Sequence, residues 1–264
     1  MDIDRRAFLA SIGGAVAIQT MSSDSLADSL EHYMVARLDQ RAGPSLDEPN
    51  KRPYRRGVGS LFVLQGSGDG VFAADKLAAM PPKPTLIDFF KLRFAPANHV
   101  LQSATRAMKT GQGEETVFAC LLHDVVLGLI KPDHGWWGAQ LFEPYVSERV
   151  SWAIRYHQAL RFYPDPSVGY EYPEMYYRIF GRDYVPPPHV EAAYKYARNH
   201  KWYMSARLIT VNDLYSFDPN AKVSIEPFID IIGRNFKQPK EGLGNDNSPS
   251  SHMWRTIANP DLPL

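Results

Sequence analysis

Downstream of residue 84 the apolar positions recur at intervals of three and four, the period of an amphipathic helix, and Gly or Pro punctuates each run. Thr85 is placed to cap a helix over residues 86–93, and Pro96 to start a second that carries His99 and ends at Lys109. Gly111 and Gly113 separate this from a third helix over 114–130, with acidic residues in its first turn and Pro132 past its end. A short helix is expected over 135–142. Ser147 caps the next, over 148–159, where Val150, Ala153, Ile154 and His157 share one face. Further helices are expected over 173–180, 189–199 and 203–215.

The pattern differs elsewhere. Residues 29–41 read as an amphipathic helix, but 43–84 are rich in Pro and Gly, with at most a short strand at 60–64, and are expected to form an extended wrap. The tail from Pro239, rich in Gly, Asn and Ser, reads as irregular surface chain, and no internal repeat is visible. The expected fold is all-α, a helical bundle with an irregular Pro/Gly-rich N-terminal wrap. Its expected divisions are 28–84 for the helix and wrap, 85–235 for the bundle and 236–264 for the tail.

Composition narrows the function. With 264 residues, 44% apolar and 12% aromatic, the chain can bury a full core without disulfides. Its 29 basic and 29 acidic residues cancel, and no Lys/Arg block follows the N-terminus, so nucleic acid is not an expected partner. The single cysteine, Cys120, lies in an apolar helical run and reads as a small buried hydrophobe.

The most informative feature is the His123-Asp124 pair at the end of the apolar run 117–122. Burying both side chains is costly unless each finds a polar partner, and a metal ion supplies one. His99 lies 24 positions upstream; His134 follows the next break, His157 lies 23 residues after His134, and Asp213 another 56 beyond. Each comes from a different helix or helix end, so all six side chains can converge inside a bundle. Four imidazoles and two carboxylates suit two first-row ions, and one cysteine excludes a thiolate site.

Any one of these histidines alone reads as readily as a hydrogen-bonded core residue, so the set carries the argument. His32, His189, His200 and His252 fall outside the spacing and read as structural or exposed. Asp218, five residues after Asp213, competes with it. Asn98, Gln102 and Arg207 read either as groups that orient His99 and Asp213 or as helix-surface residues. Arg161, Tyr163, Tyr170 and Tyr172 can line a pocket for an acidic or hydroxylated molecule, or belong to an aromatic packing loop. Trp136 and Trp137 read as packing residues beside His134.

A lone His, an adjacent His-Asp and a distant Asp on a later helix resemble the signature of the HD-domain superfamily, over roughly residues 85–218. Dinuclear members add two histidines between the His-Asp and the last Asp, the places of His134 and His157 here. The resemblance implies one metal held by His99, His123, Asp124 and Asp213, and a second by His134 and His157 with Asp124 bridging. Two branches share these ligands. One hydrolyses phosphate esters; the other, which includes myo-inositol oxygenase and the hydroxyphosphonate-cleaving oxygenases, uses a mixed-valent di-iron pair and O2 to break a C–C or C–P bond.

Many of the phosphohydrolases follow the His-Asp with an aliphatic residue, Gly and Lys, whereas this chain has Val125-Val126-Leu127. Myo-inositol oxygenase also has a Lys there. Gly138-Ala139-Gln140-Leu141 and His157-Gln158-Ala159-Leu160-Arg161 look more like the phosphonate-cleaving enzymes, in which a cation one turn after the fourth His binds the substrate's anion. Arg161 fills that place, with Tyr163 beside it. The resemblance thus implies a di-iron oxygenase acting on a small hydroxylated or anionic organic substrate with O2. A metal-dependent phosphohydrolase, with Mn2+ or Zn2+ in place of iron, is the alternative, and a non-catalytic metal-stabilised domain the second.

At the N-terminus, Arg5-Arg6 lead into the short Gly/Ala-rich stretch 10–18, and Ser25-Leu26-Ala27 offers a small-residue cleavage site. This resembles a twin-arginine signal over residues 1–27. It implies the twin-arginine export machinery as a partner and a periplasmic or extracellular destination.

Overall fold

The computed structural model describes residues 32, 35, 78, 80, 81, 84–128, 130, 133–237 and 239. The expected signal peptide and nearly all of the wrap, including the strand at 60–64, lie outside them, as does most of the tail. Of the helix expected at 29–41 only His32 and Val35 are described, both helical.

Among the described residues the fold is all-α, with no strand and one isolated bridge between Asp165 and Tyr170. From residue 86 on, nine α-helices follow in order among the described residues: α1 Leu86–Leu92, α2 Ala97–Lys109, α3 Glu114–Leu122, α4 His134–Phe142, α5 Glu148–Leu160, α6 Glu174–Phe180, α7 Pro188–Arg198, α8 Tyr203–Leu214 and α9 Ile229–Asn235. None of them is long and apolar enough to cross a membrane.

Local chemistry sets several starts. Thr85 and Asp88 form a reciprocal capping box at α1. Ser147 Oγ accepts from the Val150 N–H at the start of α5 and donates to Glu115 Oε1 at 2.6 Å, tying α5 to the first turn of α3. α2 and α3 turn back on each other through Gly111, whose φ of 71° suits a residue without Cβ.

α5 is the central helix, packing against α3, α4, α7 and α8, while α2 packs against α3 and α8. The apolar faces of these helices meet in one core that includes Val100, Phe118, Leu121, Ile154 and Ile209. A smaller cluster gathers Val35 with Met175, Tyr176, Ile179 and Phe180.

The expected helix over 114–130 stops at Leu122, and residues 123–128 continue as turns. His123 Nδ1 bonds the Cys120 carbonyl at 2.8 Å, and the backbone tightens to three-residue spacing, with Leu127 N bonded to Asp124 O at 2.9 Å. The apolar residues beyond the pair, Val125, Val126 and Leu127, are buried but not in a regular helix. α9 has no counterpart in the expected elements; Arg234 and Asn235 on it bond Glu114 of α3.

Candidate metal centre

Among the described residues a concentration of buried histidines and carboxylates interrupts the core. His99 comes from α2, His123 and Asp124 from the end of α3, His134 from the start of α4, His157 from α5 and Asp213 from α8. All six are buried and arranged in two overlapping groups. His99, His123, Asp124 and Asp213 form one, and Asp124, His134 and His157 the other, with the ligand atoms of each within 4.8 Å of one another.

Asp124 belongs to both. Its Oδ1 faces His134 Nε2 at 3.0 Å and His157 Nε2 at 3.3 Å. Its Oδ2 faces His99 Nε2 at 3.4 Å and His123 Nε2 at 3.6 Å. Asp213 completes the first group, its Oδ1 lying 2.9 Å from His99 Nε2 and 3.5 Å from His123 Nε2. The other Asp213 oxygen lies 2.6 Å from Arg161 Nη2, which also reaches Asp124 Oδ2 at 3.4 Å.

Three of the rings are aimed by backbone carbonyls. The Nδ1 of His99 bonds the Ser216 carbonyl at 2.9 Å, that of His123 the Cys120 carbonyl at 2.8 Å, and that of His157 the Ile154 carbonyl at 2.6 Å. Each bond fixes the tautomer and turns Nε2 toward the carboxylates. Phe217 stacks on the His99 ring at 4.6 Å between centroids. On the far side of His157 the α4 backbone comes so close that a Cβ on Gly135 would lie 2.8 Å from the Ile154 carbonyl oxygen.

These groups fit cations. Two carboxylates against one guanidinium leave a negative charge where water does not reach. The Nε2 atoms of His123 and His157 and the Oδ1 atoms of Asp124 and Asp213 are buried with no hydrogen bond of good geometry. Such groups are costly unless an ion takes them up. Burial opposes ionisation of both carboxyls, yet they are held well below the ordinary carboxylate range, Asp124 by His123, His134 and Arg161, and Asp213 chiefly by Arg161. Burial lowers the His99 imidazole, but Asp124 and Asp213 outweigh it and raise it to about 9. A proton there occupies the place a cation would take. Burial, with Arg161 and His123 nearby, pushes His157 down to about 4, the neutral form a metal ligand needs.

The rival to Asp213 is placed elsewhere: Asp218 is bound through its backbone to both ends of the Gln102 amide. The candidates to orient His99 and Asp213 bond other groups: Gln102 holds Asp218 as above. Asn98 reaches the Ala221 carbonyl, and Arg207 holds the carbonyls of Leu160 and Tyr163 and the Tyr203 hydroxyl. Main-chain carbonyls aim His99, His123 and His157, which residue type does not reveal. Arg161 lies beside the carboxylates, while the Tyr163 ring stacks on Tyr194 at 3.8 Å. Tyr170 is buried and donates its hydroxyl to the Arg161 carbonyl, and Tyr172 packs on Tyr176 and Tyr177. Tyr176, not singled out by the sequence, is buried, and burial with Asp213 and Asp124 nearby raises its hydroxyl against the pull of Arg161.

Trp136 and Trp137 are not packed in the core; they stand 39% and 47% exposed, in edge contact with each other. His200 stacks on Trp152, and exposed His189 pairs with Asp133. No protein-family model matches the chain, and no curated protein matches its sequence. The helical fold with its buried His/Asp cluster is compatible with an HD-type metal site.

Proposed function

We propose that the chain is a di-metal enzyme of the HD type, an oxygenase that uses two irons and O2 on a small hydroxylated or anionic organic substrate. The observation that carries the two-ion reading is the division of Asp124, one oxygen toward each histidine group. The first ion would be held by His99, His123, Asp124 and Asp213, the second by His134, His157 and Asp124. Nitrogen and oxygen donors without thiolate suit iron, and four and three protein donors leave positions on six-coordinate ions. Bound iron would supply the redox chemistry that activates O2.

The chain's own residues do the rest. Carbonyl-anchored rings fix where the ions sit, and the buried surroundings keep bulk water out. Arg161 balances Asp213, and its Nε–H is buried without an acceptor beside the carboxylates, a donor suited to an anionic substrate group. The absence of the Gly-Lys pair after Asp124 favours oxygenase over phosphohydrolase chemistry. On the N-terminal pattern we also infer export by the twin-arginine route.

The test is to challenge iron-loaded protein with 2-hydroxyphosphonates, polyols and phosphoesters, following O2 uptake and phosphate release. Product formation that stops without O2 supports the oxygenase. Phosphate release that continues without O2 assigns the same ligands to a phosphohydrolase, and turnover of none of these classes favours a metal-stabilised domain.

A further inference from the structure

A second set of groups suited to a ligand lies outside the metal centre. Residues at the start of α4 and on α5 and α7 enclose a cleft of about 480 Å³, within the range of small-molecule sites. Arg155 and Ala159, which line it, stand roughly opposite His157 around α5, so the cleft opens on the other side of the helix from the metal ligands.

Its walls are aromatic. Trp136, Trp137 and Tyr196 are among the largest exposed apolar side chains, and they gather here. The two indoles meet edge to face at 4.7 Å, and Tyr196 packs on Tyr156 at 5.3 Å. Leaving such rings in water is unfavourable unless something covers them. Among the described residues no hydrogen bond reaches either indole N–H.

The polar groups at the rim are few and balanced. Asp133 offers a carboxylate, 3.5 Å from His189 Nε2. Gln158 accepts from the Gly135 N–H at 3.4 Å through Oε1, which leaves its amide N–H groups to donate. The Arg155 guanidinium lies over Trp136 at 5.9 Å and Tyr156 at 5.5 Å.

This combination selects a ligand class. One carboxylate and one guanidinium cancel, so the cleft has no excess charge with which to attract an anion. A quaternary ammonium is repelled by the Arg155 guanidinium that already stands over Trp136 and Tyr156, and an uncharged ligand is not. Flat apolar walls with donors and an acceptor at the edge match a ring that has apolar faces and a hydroxylated rim. We propose that this cleft is a binding site for a neutral saccharide, with a sugar ring stacked on Trp137 beside the edge of Trp136 and its hydroxyls bonded by Asp133 and Gln158. The site is independent of the chemistry assigned to the metal centre.

The experiment titrates the full chain, as purified with its metals, with maltotetraose, cellotetraose and chitotetraose. Tryptophan fluorescence and calorimetry follow binding, and benzoate and choline serve as charged comparisons. At least one saccharide should bind saturably, and Trp137→Ala should weaken it about tenfold or more. Trp137 is half exposed, and an unchanged metal content and far-UV spectrum in the variant exclude misfolding as the cause. Absence of saturable binding to all three saccharides overturns the proposal. So does tighter binding of benzoate or choline, or saccharide affinity that is the same in Trp136→Ala and Trp137→Ala as in the parent.

Discussion

One added methyl group at Gly135 probes the packing that places His157. An alanine Cβ there would lie 2.8 Å from the Ile154 carbonyl oxygen, and 3.1 and 3.2 Å from Cε1 and Nδ1 of the His157 ring. It therefore presses on both partners of the 2.6 Å hydrogen bond that aims the ring. Helix propensity favours Ala over Gly by at most about 1 kcal/mol. Overpacking costs about 1–3 kcal/mol, and a backbone carbonyl cannot rotate aside, so the upper half of that range applies. The expected net loss is about 1–2 kcal/mol. Gly233 on α9 has nothing within 4 Å of its Cβ position, so Gly233→Ala should stabilise by up to about 1 kcal/mol. Urea unfolding of both variants, with metal content measured alongside, gives opposite signs if the reasoning holds. Gly135→Ala should also drop from two metals toward one, because only the His134/His157 group is disturbed. A Gly135→Ala protein as stable as the parent and still holding two metals would refute the argument.

Arg161→Met should destabilise the metal-free protein by about 3–5 kcal/mol by leaving Asp213 and Asp124 without their buried cation, and saturating metal should recover much of that loss; an equal loss with and without metal in thermal unfolding would contradict it. His99 is raised above its ordinary value to about 9, so its contribution to metal-free stability is complete below about pH 6.5 and is lost as the pH rises through about 9. Metal titrations in two buffers of different ionisation enthalpy should therefore show proton release at pH 7.5 that diminishes above pH 9.5, and equal release at both pH values would count against a protonated His99. Ser147→Ala removes the cap of α5 and its bond to Glu115; a loss of about 1–2 kcal/mol with unchanged metal content is expected, and loss of metal would show that the cap does more than stabilise the helix.

Much of this was legible in the chain because the signals are local. Thr85 and Ser147 mark helix starts with side chains that bond N–H groups three residues on, and spacing alone brought His99, His123, His134, His157 and Asp213 to separate helices. What was hidden depends on distant parts of the chain. The carbonyl of Ser216 aims His99 across 117 residues, and nothing about a serine signals that use of its backbone. α9 is short and lacks a side-chain cap, and its hold on the core runs through Arg234 and Asn235 to Glu114. The apolar run around His123 suggested a longer helix because burial and helicity leave the same mark when a segment is apolar all round. Trp136 and Trp137 read as packing for the opposite reason: a sequence shows that a ring is apolar, but not that its helix turns it outward beside Tyr196.

We propose that Asp124 joins two metal sites. This is tested most directly by counting metals per chain in the parent, His134→Ala and Asp124→Asn, with electron paramagnetic resonance of each after partial oxidation. The parent should hold two irons and give a coupled mixed-valence signal. His134→Ala should hold one iron and show no coupling, and Asp124→Asn should lose the coupling and bind both ions more weakly. A single metal in the parent, or an Asp124→Asn protein that keeps two coupled irons, would contradict the proposal.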